Sequence, residues 1–151
     1  NVPRARSFGA EITAEWRASE QISFRAAIGL LDTKITGTDT ASAAFQGREF
    51  ARSPGLTASG AIDWRSIAPL RLSAQARHHG SYFSDDTEAA TLRVERATLV
   101  DARAAWTSGR VTLFGYVRNL FDTFRLRSLF NANLATPYEP RELGMGLQSQ
   151  F

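Results

Sequence analysis

Residues able to do chemistry are few in this chain and badly placed for catalysis. The two histidines, His78 and His79, are adjacent. On a strand such neighbours point to opposite faces, so they cannot chelate one ion together. Cysteine is absent, which excludes a disulfide scaffold, a thiolate metal site and a cysteine nucleophile. Asp85, Asp86 and Glu88 form an acidic cluster whose oxygens could hold calcium. Their spacing matches no defined calcium loop, and a solvated loop is the simpler reading. Glu11 and Glu15 fall on one row together with several arginines, so ion pairing is a simpler use for them than acid–base work. No Ser/His/Asp arrangement, carboxylate dyad or phosphate-binding glycine loop occurs. The expectation is a non-enzyme with no cofactor and no resident metal. Arg48, Arg52, Arg125 and Arg127 remain as candidates. Guanidinium groups suit anionic ligands, and ordinary solubility charge is the competing use.

The bulk properties bound the elements that must carry these residues. The chain has 151 residues, with 43% apolar and 22% charged, which excludes wholesale disorder. The net charge of +3 is mild and spread along the chain, so no nucleic-acid partner is expected. No apolar run approaches the ~20 residues of a membrane helix. The opening residues, Asn1 to Arg6, lack an initiator methionine and do not read as a signal peptide. The chain is expected to be a piece of something longer.

The dominant pattern has period two. In segment 7–18, Phe8, Ala10, Ile12, Ala14 and Trp16 alternate with Gly9, Glu11, Thr13, Glu15 and Arg17. A strand separates these rows completely, whereas a helix mixes them. The same alternation recurs in segments 21–30, 56–65, 70–79, 97–107 and 141–151. Segment 110–121 carries aromatics on both rows, and its facing stays open. About seven strands and no convincing helix result.

The connections alternate in length. Short ones fall near Ser19-Glu20, Ile67-Ala68-Pro69 and Ser108-Gly109; long ones run over 37–54, 84–96 and 127–140. In a meander, successive turns lie at opposite ends, so all short turns share one end and all long loops the other. Outer-membrane barrels sort their connections this way. Trp16, Trp64 and Trp106 are the only tryptophans, each on an apolar row near a short turn. Side by side they would form an interfacial belt. Phe24 and Phe151 would join it, and Phe8, Tyr82 and Phe83 could supply the opposite belt. A strand of about ten residues tilted by ~45° crosses the hydrocarbon layer. A basic side chain facing lipid at mid-depth costs roughly 2–4 kcal/mol. The apolar rows are therefore expected outward and the charged rows inward, toward a wet lumen. The alternative is a small soluble barrel or sandwich binding an apolar ligand, with the apolar rows facing a core. Its outward row would be rich in alanine, a thin filling for such a core.

At this point a family resemblance enters. Val117-Arg118-Asn119-Leu120-Phe121-Asp122 resembles the V-x-N-L-F-D element on the penultimate strand of TonB-dependent outer-membrane receptors. Pro140-Arg141-Glu142-Leu143-Gly144 through Phe151 resembles their closing strand, and Arg6 to Ile12 an earlier strand start. The resemblance implies an all-β, antiparallel up-and-down meander forming the C-terminal part, residues 1–151, of a transmembrane β-barrel. Such barrels have about twenty-two strands. The plug domain and TonB-contacting segment that precede the barrel in that family are expected to lie outside this piece, and the piece alone is expected as an open curved sheet. The implied function is active nutrient uptake across the outer membrane of a Gram-negative bacterium, with a ferric siderophore as the expected cargo. The implied partners are outer-membrane lipid and lipopolysaccharide, the barrel assembly machinery through Phe151, TonB through the missing region, and a ferric chelate at the loop arginines. Asn119 and Asp122, at the bend into a long loop, are expected to cap turn backbone groups.

Overall fold

A computed structural model describes residues 4–37, 43–66, 69–131 and 133–150. Seven long strands make one sheet: β1 (Ala5–Arg17), β2 (Ile22–Ile35), β3 (Leu56–Arg65), β4 (Leu70–His79), β7 (Ala97–Ser108), β8 (Val111–Arg118) and β11 (Glu142–Ser149). Neighbours follow chain order and every pairing is antiparallel. Two small ribbons stand outside the sheet, in the long connections: β5 (Tyr82–Phe83) with β6 (Arg93–Val94), and β9 (Leu126–Asn131) with β10 (Leu134–Pro137). The meander of seven strands is as expected. The ribbons were not, because pairs of two to six residues inside a loop carry no usable alternation.

Register shows which side chains share a face. Residues directly opposite in an antiparallel pair project to the same side. Trp16 lies opposite Phe24, Phe24 opposite Ile62, Ile62 opposite Ala74, Ala74 opposite Ala102, Ala102 opposite Val117 and Val117 opposite Leu143. One face of the sheet is thus apolar from edge to edge. Its side chains meet no second layer: Ile12 is 71% exposed, Trp16 64%, Leu143 76% and Met145 91%. The two largest fully buried side chains, Ile35 and Val94, sit at the long-loop end, not between two sheets. The dry centre required by a soluble sandwich is missing from the described residues, and the facing of β8 is settled by its partners. Val111, Leu113, Gly115 and Val117 join the apolar face, while Thr112, Phe114, Tyr116 and Arg118 join the polar one.

The short turns explain how the meander stays in register. Between β1 and β2, Ser19 Oγ accepts from the Gln21 and Ile22 amides at 3.2 and 3.1 Å. Between β7 and β8, Gly109 takes φ +56° at the first central position of a two-residue turn, where positive φ lets the turn follow the strand twist. Successive turns are staggered, and the tryptophans follow them. Trp16's row crosses β3 at Ile62, two residues before Trp64. Trp64's row crosses β7 at Ala104, two residues before Trp106. Such stagger is what tilted barrel strands require.

Strand β11 is fitted to β8 by size. A Cβ at Gly144 would lie 2.3 Å from Tyr116 Cζ, and one at Gly146 2.5 Å from Phe114 Cζ. The two rings on β8 lie over the two glycines of its neighbour, covering backbone that has no side chain of its own. Tyr116 also donates to Glu142 at 2.7 Å. Gly144→Ala should displace the Tyr116 ring, lower folding stability by about 1–3 kcal/mol and slow closure of the last strand. Chemical unfolding of the folded barrel in detergent would measure it; a neutral G144A would show that the ring does not depend on the glycine.

Candidate functional site

The polar face carries an ion-pair lattice built on the same strands. Arg25 reaches Asp63 at 2.8 Å, and Arg71 approaches the same carboxylate at 3.9 Å. Arg77 meets Asp101 at 2.7 Å, and Arg118 meets Glu142 at 3.1 Å. Arg103 lies over the Phe114 ring, 4.5 Å from its centroid. These groups are half exposed, so each pair contributes only about 0–1 kcal/mol; their larger effect is to keep the concave side wet and polar. Glu15 lies opposite Arg25 in register, yet that guanidinium turns to Asp63. Neither Glu11 nor Glu15 is ion-paired among the described residues, so the simple pairing expected for them is not what forms.

At the long-loop end Asn119 is the hub. It is buried and adopts φ +49°, a conformation asparagine tolerates better than most residues. Its Nδ2 donates to the carbonyls of Thr123 and Glu139 at 3.2 and 3.1 Å, and its Oδ1 accepts from the Thr123 amide at 2.9 Å. Its own amide donates to Asp101 at 3.0 Å. Asp122, at φ +51°, accepts from the Arg141 amide at 3.0 Å. Leu120 keeps the ladder going through its amide to Val100, at 2.7 Å, while Phe121 is exposed. The Asn-Leu-Phe-Asp element therefore ties the departing chain to the returning one at the neck of the longest loop. Asn119→Ala leaves several of these partners unpaired and should cost about 2–3 kcal/mol; denaturant unfolding of the barrel checks it, and a loss below 0.5 kcal/mol, well under that range, would contradict the hub.

The three long loops are laced together. Arg48 donates to the carbonyls of Asp86 and Thr87. The Ala51 amide donates to Asp86 at 2.8 Å and the Glu49 amide to Glu88 at 2.6 Å. Asp85 accepts from Thr87 within the same loop, at 2.6 and 3.0 Å. The acidic cluster is thus occupied with loop backbone. No group of three metal-capable side chains is found among the described residues. Ser84 accepts from the Leu129 amide at 2.9 Å, and Tyr82 donates to the Arg127 carbonyl at 2.6 Å.

Each arginine singled out by the sequence has a different setting. Arg48 clamps two loops. Arg52, at φ +59°, lies 5.9 Å from the Phe130 ring centroid. Arg125 donates to the neighbouring Phe124 carbonyl at 2.9 Å. Arg127 lines a cleft beneath the loops with Arg77, Arg118, Asp101, Tyr138 and Glu142. Sequence reading missed Arg77 and Arg118; the signal available was their position at loop-proximal strand ends on the polar row. His79 belongs near this mouth, its ring 5.8 Å from Tyr138 and 5.4 Å from Tyr82. His78, on the opposite face, bonds Thr98 at 2.8 Å, so the two imidazoles do not converge. Tyr82 corrects an expectation: with Phe83 it lies in a loop ribbon, and of the expected outer aromatics only Phe8 stands on an outward row of the sheet. Phe151 lies outside the described residues.

Burial raises the Tyr82 phenol above its ordinary value near 10.0; Tyr138 adds to the rise, and Arg127 and Arg52 oppose it. The folded state therefore favours the protonated hydroxyl that bonds the Arg127 carbonyl. Its contribution is full below the ordinary tyrosine value and is lost as pH climbs through the higher folded-state value. In a phenolate absorbance titration, the signal removed by Tyr82→Phe should appear later than that of an exposed tyrosine. An ordinary midpoint would refute the buried contact.

A single curved wall, oily outside, ionic inside and with its long loops at one end, defines an outer-membrane type β-barrel. Residues 1–120 match the family described as "TonB dependent receptor-like, beta-barrel", and the chain belongs to that family. The sheet superposes on the ferric yersiniabactin uptake receptor FyuA from Yersinia pestis with TM-score 0.86 and 19% identity, over 97% of this chain and 24% of that one. The siderophore receptor PiuA from Acinetobacter baumannii gives 0.84 and 17%, over 96% and 22%. BauA, the ferric preacinetobactin receptor of the same species, gives 0.82 and 21%, over 97% and 22%. The chain thus spans between a fifth and a quarter of the length of these structures. The family is one of outer-membrane receptors, not enzymes.

Proposed function

We propose that this chain is the C-terminal part of the barrel of a TonB-dependent receptor that takes up a ferric chelate, most simply a siderophore. The observation that carries the reading is the partition of the sheet: apolar rows outward, ion pairs inward, and the laced loops at one rim. In this reading the outward rows meet membrane lipid, and Trp16, Trp64 and Trp106 mark the headgroup layer on the short-turn side. The loops face the exterior. A plug domain and a TonB-contacting segment belong to other parts of the receptor, and Phe151 presents the terminal aromatic to the barrel assembly machinery. Several of the structural neighbours are receptors for ferric chelates by name, which supports the cargo class.

Within this segment the cleft under the loops is the part suited to an anionic cargo. Arg77 and Arg118 keep carboxylate partners, whereas the Arg127 guanidinium has no ion pair among the described residues. Arg48 and Arg125 bond backbone carbonyls, and Arg52 lies against Phe130, so these three hold loops together and do not line the cleft. In the complete receptor, Arg127→Ala should weaken ferric-chelate binding roughly tenfold, as expected for loss of one charge-assisted contact, with normal amounts of folded barrel in the outer membrane. Binding measured by radioactive iron on whole cells checks it, alongside growth on chelated iron as sole source. Unchanged binding in R127A would remove this cleft from the ligand path, and unchanged uptake after deletion of the receptor would refute the transport reading.

A further inference from the structure

Buried polar side-chain atoms without a hydrogen-bond partner are rare among the described residues, and the one that can take up charge is His79 Nε2. The other nitrogen of that ring, Nδ1, lies 2.8 Å from the Gly80 carbonyl oxygen. A carbonyl only accepts, so Nδ1 carries the proton and Nε2 the lone pair. The ring ends β4 on the polar row and supports two tyrosines, Tyr82 tilted against it and Tyr138 stacked on it. Each tyrosine holds part of the cleft under the loops. The Tyr82 hydroxyl donates to the Arg127 carbonyl and so fixes the backbone that carries the free guanidinium. Tyr138 lines the cleft itself, and its amide donates to the Arg125 carbonyl at 2.9 Å. Nothing around the ring offers to neutralise a second ring proton. Thr57 on β3 and Ala97 on β7 lie opposite it. On its own strand Arg77 is committed to Asp101. Arg127 and Arg52 both act on the Tyr82 phenol, so the nearby charges are positive. Of the cleft carboxylates, Asp101 and Glu142 are held by Arg77 and Arg118, and Glu139 pairs with neither ring nitrogen.

We propose that His79 is the positioning residue of the cargo cleft, a latch that holds Arg127 and Tyr138 in place while its ring is neutral and lets them go when the ring is protonated. The proposal rests on the cargo reading given above. Histidine takes up its second proton between about pH 5 and 8. That proton would sit on Nε2 as a buried donor without an acceptor, beside guanidinium groups. The neutral ring fits the site and the imidazolium does not, so the ring leaves the two tyrosines for water. The latch is therefore complete at neutral pH and lost as pH falls through the histidine range. Tyr138 then loses its stacking partner and Tyr82 its support, and the cleft loosens its grip on an anionic chelate in mild acid.

The test uses the complete receptor folded in detergent, as wild type, His79→Phe, which keeps a ring that cannot titrate, and His79→Asn, which keeps a donor for Gly80 without the ring. Nitroxides attached at Ala90→Cys and Thr136→Cys, exposed positions in the second and third long loops, report the distance between those loops without any cargo. Measurements at about pH 7.5 and about pH 5.5 bracket the titration. The wild-type distance distribution should shift and broaden in acid, whereas that of H79F should stay as it is at neutral pH. Binding is then read with iron-55 chelates of catecholate, hydroxamate and carboxylate type. A chelate that wild type binds at neutral pH should bind roughly fivefold more weakly in acid, the equivalent of one net hydrogen bond, measured relative to H79F so that the chelate's own acid chemistry cancels. H79N should bind more weakly than wild type at neutral pH and show no further loss specific to acid. A wild-type loop distance indifferent to pH, or the same acid response in H79F, overturns the latch while the cargo reading stands. A receptor that binds none of the chelates yet shows the acid shift overturns the cargo reading and leaves His79 a latch between loops only.

Discussion

A charge turned toward hydrocarbon at mid-depth costs roughly 2–4 kcal/mol, and that cost organises this sheet. A strand has two rows of side chains and one choice of facing. Once Arg25, Asp63, Arg71, Arg77, Asp101 and Arg103 are committed to one side, their apolar neighbours are committed to the other. The register then propagates the choice from strand to strand, because a slip of one residue would turn an entire charged row outward. The exposed isoleucines, leucines and tryptophans are a liability in water and an asset against lipid. The polar face gains little energy from its ion pairs and much of its character from them.

The loop end obeys a different rule. There the backbone leaves the ladder, and each amide must find another partner. Asn119 and Asp122 supply them at the neck of one loop, while Asp86, Glu88 and Ser84 supply them between loops. Among the described residues, four non-glycine residues have positive φ, Arg52, Glu88, Asn119 and Asp122, and all four lie in these connections. The tight chain path there is held by side chains acting on backbone. Arg48 and Arg125 likewise act on backbone carbonyls, while the cleft beneath the loops draws Arg127 from a loop and Arg77 and Arg118 from the wall.

Seven strands, their order and the facing of all but β8 were legible in the sequence, because each of those strands repeats the same two-residue alternation; β8 carries aromatics on both rows, and only its partners settle its facing. The Asn-Leu-Phe-Asp element and the glycine-bearing closing strand pointed to the family for a related reason: both are local. Strand β2 runs on to Ile35, past the expected end at Leu30, because its outward row there changes from apolar to charged and the alternation disappears. The ribbons in the loops were hidden for want of length. Tyr82 was misplaced because an aromatic beside a strand end reads the same whether it faces lipid or folds under a loop.

Sequence alone determined what each strand except β8 does with its two faces, since alternation is a property of neighbours along the chain and the penalty for misplacing a charge acts on each residue separately. Tertiary structure alone decided which charges meet. The pairing of Arg25 with Asp63 instead of Glu15, the carriage of Asp86 to the Ala51 amide and the convergence of Arg77, Arg118 and Arg127 all join residues distant in the chain. Such meetings depend on register and on the path of loops, and neither leaves a mark on the spacing of residues within one strand.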